Sequence, residues 1–435
     1  MDQASRKLPR SDRAGTRRVL LLTGVGFVLL GLLANPWLLA LTFSPDGVID
    51  DPADLLLIGI FELVLLAWGF ANIVFRNTEF AAKINLLLIT LCILSPLVGE
   101  AALRVLIAAG VESARNPGLY ADPLSDDDYW KLDYLWLHEQ RKPNPTVIDD
   151  ELLGWAPRKH RENPLGIIAE GPYTPDFGER AILFYGDSFV AGATQLRDNV
   201  PQQLDQILED CPVYNFGVAG YGVDQIYLRF KNSHADFANP FVILGVLTSD
   251  MDRCLLSIRG RAKPYFVLHG NSLELQGVPV NPRMDEWIDA HPLQMQSFLV
   301  AFGLTRLRLH QPGDWRELPY RRDEKKSLNA KLLAEMIAHA RLHSLPFLIV
   351  LFYDSDEMEA AGWRELFLTE ELDRAGVDYL DTKETLLEAA RQEACEVSAY
   401  FRPDHHLNGR GNRIVAEAIA ALLRARDACN STATR

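Results

Sequence analysis

FYGDSFVAG, residues 184–192, sets Ser188 directly behind Asp187, with Gly186 two places before it and Gly192 four places after. The residues leading in, Ala181–Tyr185, are apolar and β-prone, and those that follow are small and then helical. The stretch therefore reads as a strand-to-helix turn. A hydroxyl at such a turn has two uses: it caps the helix, or it acts as a nucleophile if a base stands within reach.

Working outward, apolar β-prone runs recur at Ala181–Tyr185, Pro212–Phe216, Phe241–Leu247, Phe347–Phe352 and Val377–Leu380. Helical patterns fall between or after them, at Val200–Leu208, Leu328–His343, Trp363–Ala375, Thr382–Ala394 and Gly411–Arg426. Strands alternating with helices predict an α/β fold, a mainly parallel sheet with helices on both faces. Lys263–Val280 breaks the rhythm. It reads as a hairpin around His269-Gly270-Asn271, inside an insertion spanning about 260–325.

Ligands of such sheets bind beyond the carboxyl ends of the strands, so the residues that follow each strand carry the information. They are Gly186-Asp187-Ser188; Asn215 through Gly217, Gly220 and Gly222; Thr248-Ser249-Asp250; and, before the last helix, Asp404-His405-His406. A serine needs a histidine to take its proton and a carboxylate to orient that histidine. Asp404 and His406 offer the pair, with His405 as the internal rival. Glycines at the second strand end let backbone N–H groups approach a developing oxyanion closely. Asp187, Tyr221 and His405 are candidates for contact with substrate, and Asp224 and Gln225 stand on the same loop.

This ordered set resembles the SGNH hydrolases, also called GDSL lipases/esterases, over roughly 163–426. Gly186-Asp187-Ser188 matches the first block, the Asn215 to Gly220 segment the second, and Asp404-His405-His406 the fifth. The resemblance implies a flavodoxin-like three-layer α/β/α domain and chemistry through an acyl-serine intermediate. Ser188 would be the nucleophile, His406 the base and Asp404 its partner, with the N–H groups of Ser188 and Gly220 forming an oxyanion hole. The third block departs from the pattern: Leu247-Thr248-Ser249-Asp250 stands where Gly-x-Asn-Asp is expected. Ser249 then replaces the hole's asparagine with a shorter donor, helped by Thr248. Losing such a donor costs on the order of 3 kcal/mol in a hydrolase. The expected activity is ester hydrolysis on a small ester, a lipid or an acylated glycan. The alternatives are O-acyl transfer to a cell-envelope glycan, or an inactive binding domain.

The first 110 residues differ in kind. Val19–Pro45 carries no charged residue, Leu55–Phe75 carries only Glu62, and Ile84–Gly99 carries none, with Glu100 and Arg104 then at pairing distance on a helix. The first two runs are long enough to cross a bilayer, and the third is once its end pairs or snorkels, so three spans are expected at about 19–43, 55–75 and 84–108. Arg6, Lys7, Arg10, Arg13, Arg17 and Arg18 precede the first run, and the following loop holds Asp46, Asp50, Asp51 and Asp54 without Lys or Arg. By the positive-inside rule, a cytoplasmic tail (1–18) and three crossings place the remainder outside a bacterial inner membrane.

A connector at 111–165, with the aromatics Tyr129, Trp130, Tyr134 and Trp136, then leads to the α/β domain at 166–428 and a tail at 429–435. The net charge of −14 argues against a nucleic-acid partner. Five cysteines fall at 92, 211, 254, 395 and 429, and the last four allow three pairings. No Gly-rich phosphate loop and no Cys/His metal spacing stands in the sequence, so no cofactor is expected.

Overall fold

The computed structural model describes residues 10–43, 52–76, 78–121, 124–137, 146–169, 173, 175, 177, 180–209, 211–309 and 321–426. The tail 429–435, with Cys429, and most of the acidic loop after the first apolar run lie outside the described residues. The chain divides into two compact units, Met1–Asp122 with Gln294–Leu318, and Pro123–Leu293 with Pro319–Arg435.

The first unit is helical. Leu55–Val74 and Ala82–Ala108 are long and apolar enough to cross a membrane. The first apolar run is not one continuous span. It forms helices Arg10–Leu33 and Pro36–Phe43, because Pro36 cannot continue a helix from the preceding turn. Asn35 restarts it, its side-chain oxygen accepting from Leu38 N at 2.9 Å. Gly24 and Gly69 let the first helix and helix Pro52–Val74 touch backbone to backbone, since a Cβ on Gly24 would stand 2.8 Å from Gly69 O. Phe27 stacks on Trp68 beside them, centroids 3.9 Å apart. Buried Asn85, on helix Glu79–Ala108, accepts from Asn72 Nδ2 at 2.5 Å and Trp68 Nε1 at 3.1 Å, and its own Nδ2 donates to Thr23 Oγ1 at 3.4 Å. One amide thus joins three helices.

A later segment belongs to this unit as well. Helix Phe298–Leu309 begins on Glu100, which accepts from Ser297 Oγ and Leu299 N at 2.9 Å and from Phe298 N at 3.2 Å. Arg104 pairs with the same carboxylate at 2.7 Å. The insertion expected at 260–325 is therefore divided, its later part packing with the helices of the first unit.

Among the described residues, the second unit has nine strands: β1 (Val147–Asp150), β2 (Gly154–Pro157), β3 (Ile182–Tyr185), β4 (Val213–Asn215), β5 (Phe241–Leu247), β6 (Tyr265–His269), β7 (Ser272–Gln276), β8 (Phe347–Phe352) and β9 (Tyr379–Asp381). The central sheet runs β4-β3-β5-β8-β9 with every pairing parallel. Counting only its own strands, the order is 2-1-3-4-5, the flavodoxin-like arrangement whose order reverses beside the first strand. β3 and β5 are buried along their whole length, as parallel strands covered on both faces must be. β6 and β7 form the expected hairpin.

β1 and β2 also pair, and Leu153, Trp155, Ala156 and Leu165 join the main apolar core. The second half of the stretch read as a connector is thus part of the α/β domain. Trp130 and Tyr134 pack with Ile258, Val280, Met284 and Trp287. Among the described residues, Cys211, Cys254 and Cys395 form no disulfide with one another.

Gly217 shows how tightly the end of β4 is set. A Cβ there would lie 2.3 Å from Ala191 N and 2.7 Å from Val190 C, both backbone atoms of the turn that carries Ser188. Overpacking against main chain costs about 1–3 kcal/mol. Gly217→Ala is expected to lower the unfolding free energy by that amount, read as a lowered denaturation midpoint; an unchanged midpoint would show that the two strand ends are not in register here.

Candidate active site

Ser188 opens a single helical turn, Ser188–Ala191, behind β3. Asp187, not Ser188, does the capping: its Oδ1 accepts from Phe189 N at 2.9 Å. That frees the serine hydroxyl, whose Oγ lies 2.9 Å from His406 Nε2. Oγ also stands 3.1 Å from Asp187 Oδ2. With one turn only, the helix field at the serine is smaller than a full helix would supply.

His406 is brought in by the turn before helix Gly409–Ala425, which starts on an Asn408 cap. Its ring stacks on Phe189, centroids 5.0 Å apart. Nδ1 meets the main-chain oxygen of Asp404 at 3.1 Å, while the nearest carboxylate oxygen of Asp404 is 3.6 Å away. That carboxylate is held by a fork from Arg402, with contacts at 3.1, 3.3 and 3.1 Å. The Arg402 hydrogen bonds hold the exposed Asp404 carboxyl below its ordinary range, with a further contribution from His406. His405 turns the other way. It adopts a left-handed backbone, φ 67°, and its Nδ1 meets Ser355 Oγ at 2.7 Å. The exposed ring therefore faces the 355–357 turn, and the rivalry falls to His406.

The second strand end is fixed by side chains that seize its carbonyls. Asn215 donates to Val190 O at 2.9 Å and accepts from Gly217 N at 2.9 Å, joining this loop to the serine turn. Trp155 Nε1 donates to Ala219 O at 3.2 Å, Arg259 Nη1 to Gly220 O at 3.2 Å and Arg253 Nη1 to Tyr221 O at 2.8 Å. A trans peptide points its N–H opposite to its C=O, so Trp155 sets the direction of the Gly220 N–H. Gly220 takes φ 86°, a conformation that favours glycine. Among the described residues, the N–H groups of Ser188 and Gly220 find no protein acceptor.

Three residues expected at the cleft lie elsewhere. Tyr221 is wholly buried and its hydroxyl donates to Trp155 O at 2.5 Å. Asp224 is buried against Lys263, 2.5 Å away, and buried Gln225 donates to Leu153 O at 2.7 Å. The β1–β2 hairpin covers Tyr221 and Gln225, and Lys263 covers Asp224. Thr248 cannot help the oxyanion hole either, because its buried hydroxyl donates to Glu357 Oε2 at 2.6 Å. Ser249 is half-buried and leads into the turn Asp250–Arg253 without a side-chain capping bond.

Two arginines escaped the sequence reading. Arg253 Nη1 reaches Asp187 Oδ2 at 2.9 Å and also pairs with Asp250, whose carboxylate is 0% exposed. Burial, then the charge of Asp187, pushes the Asp250 carboxyl well above its ordinary range. Arg259, half-buried beside Gly220, is brought down to about 9 by burial and then by Arg253. The i,i+3 spacing of Asp250 and Arg253 was a visible signal, though it did not reveal the tie to Asp187.

Residues 355–435 match the family model described as the SGNH hydrolase-like domain of the acetyltransferase AlgX. Comparison with curated proteins gives no match. Among solved structures, the chain is similar to a member of the lipolytic protein G-D-S-L family from Veillonella parvula, at 15% identity over 56% of this chain and 96% of that one, TM-score 0.33. A second, a lipolytic protein of the same family from Desulfitobacterium hafniense, is 13% identical over 57% and 100%, TM-score 0.31. An α/β hydrolase enzyme from the metagenome of Lake Arreo, Spain, is 14% identical over 58% and 97%, TM-score 0.34. The family match, over residues 355–435, and the ordered motifs agree on an SGNH hydrolase-like domain.

Arg253→Met leaves Asp187 and Asp250 buried together without their shared cation. Breaking such a pair costs about 3–5 kcal/mol at neutral pH. The sign with pH follows from proton binding. Asp250, already held high, rises further, so the folded state binds more protons than the unfolded one above pH ~4. The variant's deficit is therefore expected to be smallest in acid and to grow toward pH 7. Urea midpoints across that range check this; a deficit independent of pH would refute it.

Proposed function

We propose that this chain, with its SGNH hydrolase-like domain, is a membrane-anchored, extracytoplasmic serine esterase. The observation that carries the reading is the 2.9 Å contact between His406 Nε2 and a serine hydroxyl relieved of capping. His406 takes the Ser188 proton as Oγ bonds to the ester carbonyl carbon. The oxyanion is received by the N–H groups of Ser188 and Gly220, with Ser249 in the place of the third donor and Arg259 adding positive charge beside Gly220. Protonated His406 passes its proton to the leaving alkoxide as the C–O bond breaks. Water, deprotonated by the same ring, then releases the acyl group and returns the proton to Ser188.

A second reading keeps the acyl-serine and replaces water by an acceptor hydroxyl, for which a cell-envelope glycan is the expected class. The match of residues 355–435 to the acetyltransferase AlgX domain favours it. An acetyl donor supplied together with polysaccharide separates the two: acetylated glycan supports transfer, and free acetate alone rejects it.

The anchor rests on the helices of the first unit. Leu55–Val74 and Ala82–Ala108 satisfy the length and apolarity of spans, and Asn85 ties helix Arg10–Leu33 to both through hydrogen bonds. A buried amide joining three helices suits a bundle in lipid, where polar side chains seek partners on neighbouring helices. Three crossings, with the basic tail inside, put the catalytic domain outside the cytoplasm.

Ser188→Ala is expected to abolish fluorophosphonate labelling and p-nitrophenyl acetate hydrolysis; retention of either would overturn the esterase. His406→Ala should lower kcat by about 10²–10⁴, the usual share of a general base.

Asp404→Asn should cost less, well under the roughly 10⁴-fold expected where a carboxylate alone fixes the ring, because the main-chain oxygen of Asp404 already meets Nδ1. Equal losses in Asp404→Asn and His406→Ala would contradict that assignment.

A further inference from the structure

Three histidines outside the serine site come together in the second unit. His234 follows helix Val223–Ser233 in a short 3-10 turn. His339 and His343 sit four residues apart on helix Arg322–Leu342 and at its C-cap, a spacing that puts both rings on one face. His234 Nε2 and His339 Nε2 are 2.9 Å apart, and one ring nitrogen from each of the three lies within 4.8 Å of the others. The centroids are 4.9 Å (His234–His339), 5.0 Å (His234–His343) and 4.5 Å (His339–His343) apart.

We propose that His234, His339 and His343 form a binding site for a divalent transition-metal ion of the zinc class. Imidazole suits zinc and its first-row neighbours. Three nitrogens at about 2.0–2.1 Å from one ion stand a little over 3 Å from each other in a tetrahedral set, close to the observed His234–His339 separation. A small rotation of the outer ring brings in the third. His234 is buried, His339 half-buried and His343 exposed, so the fourth position opens toward solvent on the His343 side. Phe230 packs on both inner rings, 5.3 Å from His234 and 5.2 Å from His339, and Tyr227 lies 6.5 Å from His339. These walls limit ring movement. Lys231, whose Nζ lies over the Tyr227 ring, and Asp236 bring one charge of each sign nearby.

The position also indicates the role. His234 precedes β5 and the other two precede β8, so the cluster stands at the amino ends of adjacent central strands. Ser188 follows the carboxyl end of β3. An ion held by the three histidines therefore staples two helices at the edge of the sheet away from the serine, and its effect falls on stability. The i,i+4 pair His339 and His343 stands in the sequence, but the arrival of His234 beside it does not show there because 105 residues separate His234 from His339.

The test uses the full-length, tag-free chain in detergent, stripped with chelator and titrated with Zn²⁺ alone. One equivalent should bind and raise the thermal midpoint, and both effects should be lost in His343→Ala. His343 is exposed, so that variant should keep the fold, and an unchanged metal-free midpoint checks this. Fluorophosphonate labelling of Ser188 should be the same with and without metal, which separates this site from His406. Failure of the wild type to bind, or equal binding by His343→Ala, would leave only a hydrogen-bonded histidine pair and overturn the proposal.

Discussion

A single guanidinium nitrogen, Arg253 Nη1, meets groups from three strand ends: Asp187 after β3, the Tyr221 carbonyl in the loop after β4, and Asp250 after β5. Two carboxylates buried this close would repel each other without a cation between them. Asp187 is also the cap of the serine turn, so the same arginine fixes the turn that carries Ser188. Lys263 repeats the device one layer back. Its ammonium is buried on Asp224, at the start of helix Val223–Ser233, and takes the carbonyls of Arg253 and Leu256 at 3.2 and 3.1 Å. The insertion that supplies Lys263 thereby reaches beneath the strand ends and fixes Arg253 from the backbone side. Charge placed where a parallel sheet leaves its carboxyl ends is what turns three loops into one rigid floor.

That floor explains the division of labour between adjacent residues. Ser188 stands at the head of a turn, where a hydroxyl is ordinarily drawn into capping. Asp187 takes the capping bond first, and its second oxygen is occupied by Arg253 and Ser188. The serine is left with one strong neighbour, His406. On the other side, Arg402 keeps the Asp404 carboxylate 3.6 Å from Nδ1 and leaves the backbone oxygen as the nearer partner. A ring oriented by main chain loses less when the carboxylate is neutralised. An exposed carboxylate is also a weaker source of field than a buried one.

The central strands were legible because buried parallel strands are written as short continuous apolar runs. Ala181–Tyr185, Phe241–Leu247 and Phe347–Phe352 are of this kind, and their ends expose the serine and its partners in order. Ser188, His406 and Gly220 could be picked out because each follows a strand or precedes the last helix. What stayed hidden was decided by contacts between distant segments. Nothing in Gly220-Tyr221-Gly222 reveals that a hairpin 65 or so residues earlier would bury Tyr221 and turn the loop's carbonyls. Nor could composition show that Glu100, four residues before Arg104, anchors a helix nearly 200 residues later. The break at Pro36 in the first apolar run, by contrast, is a local proline signal that stands in the sequence itself.

The substitution in the third block acquires a different meaning in this setting. An asparagine after β5 would offer an amide to the oxyanion, whereas Ser249 offers a shorter hydroxyl and Thr248 is already bound to Glu357. Shortening a donor withdraws it from the oxygen it served, and a site that loses a donor outright forfeits roughly 10²–10³ in rate. On the proposed mechanism the segment after β5 supplies a countermeasure. Arg259, bonded to the Gly220 carbonyl and lying over Trp130 at 5.2 Å, brings a cation beside Gly220. Burial works against that charge, yet even brought down to about 9 the group remains cationic at neutral pH. A guanidinium fixed beside the hole stabilises a developing oxyanion through its field, with no bond required, and its effect grows as water is excluded. On the proposed mechanism, the third block is then a change in how charge is met, from a neutral amide at contact to a cation beside Gly220.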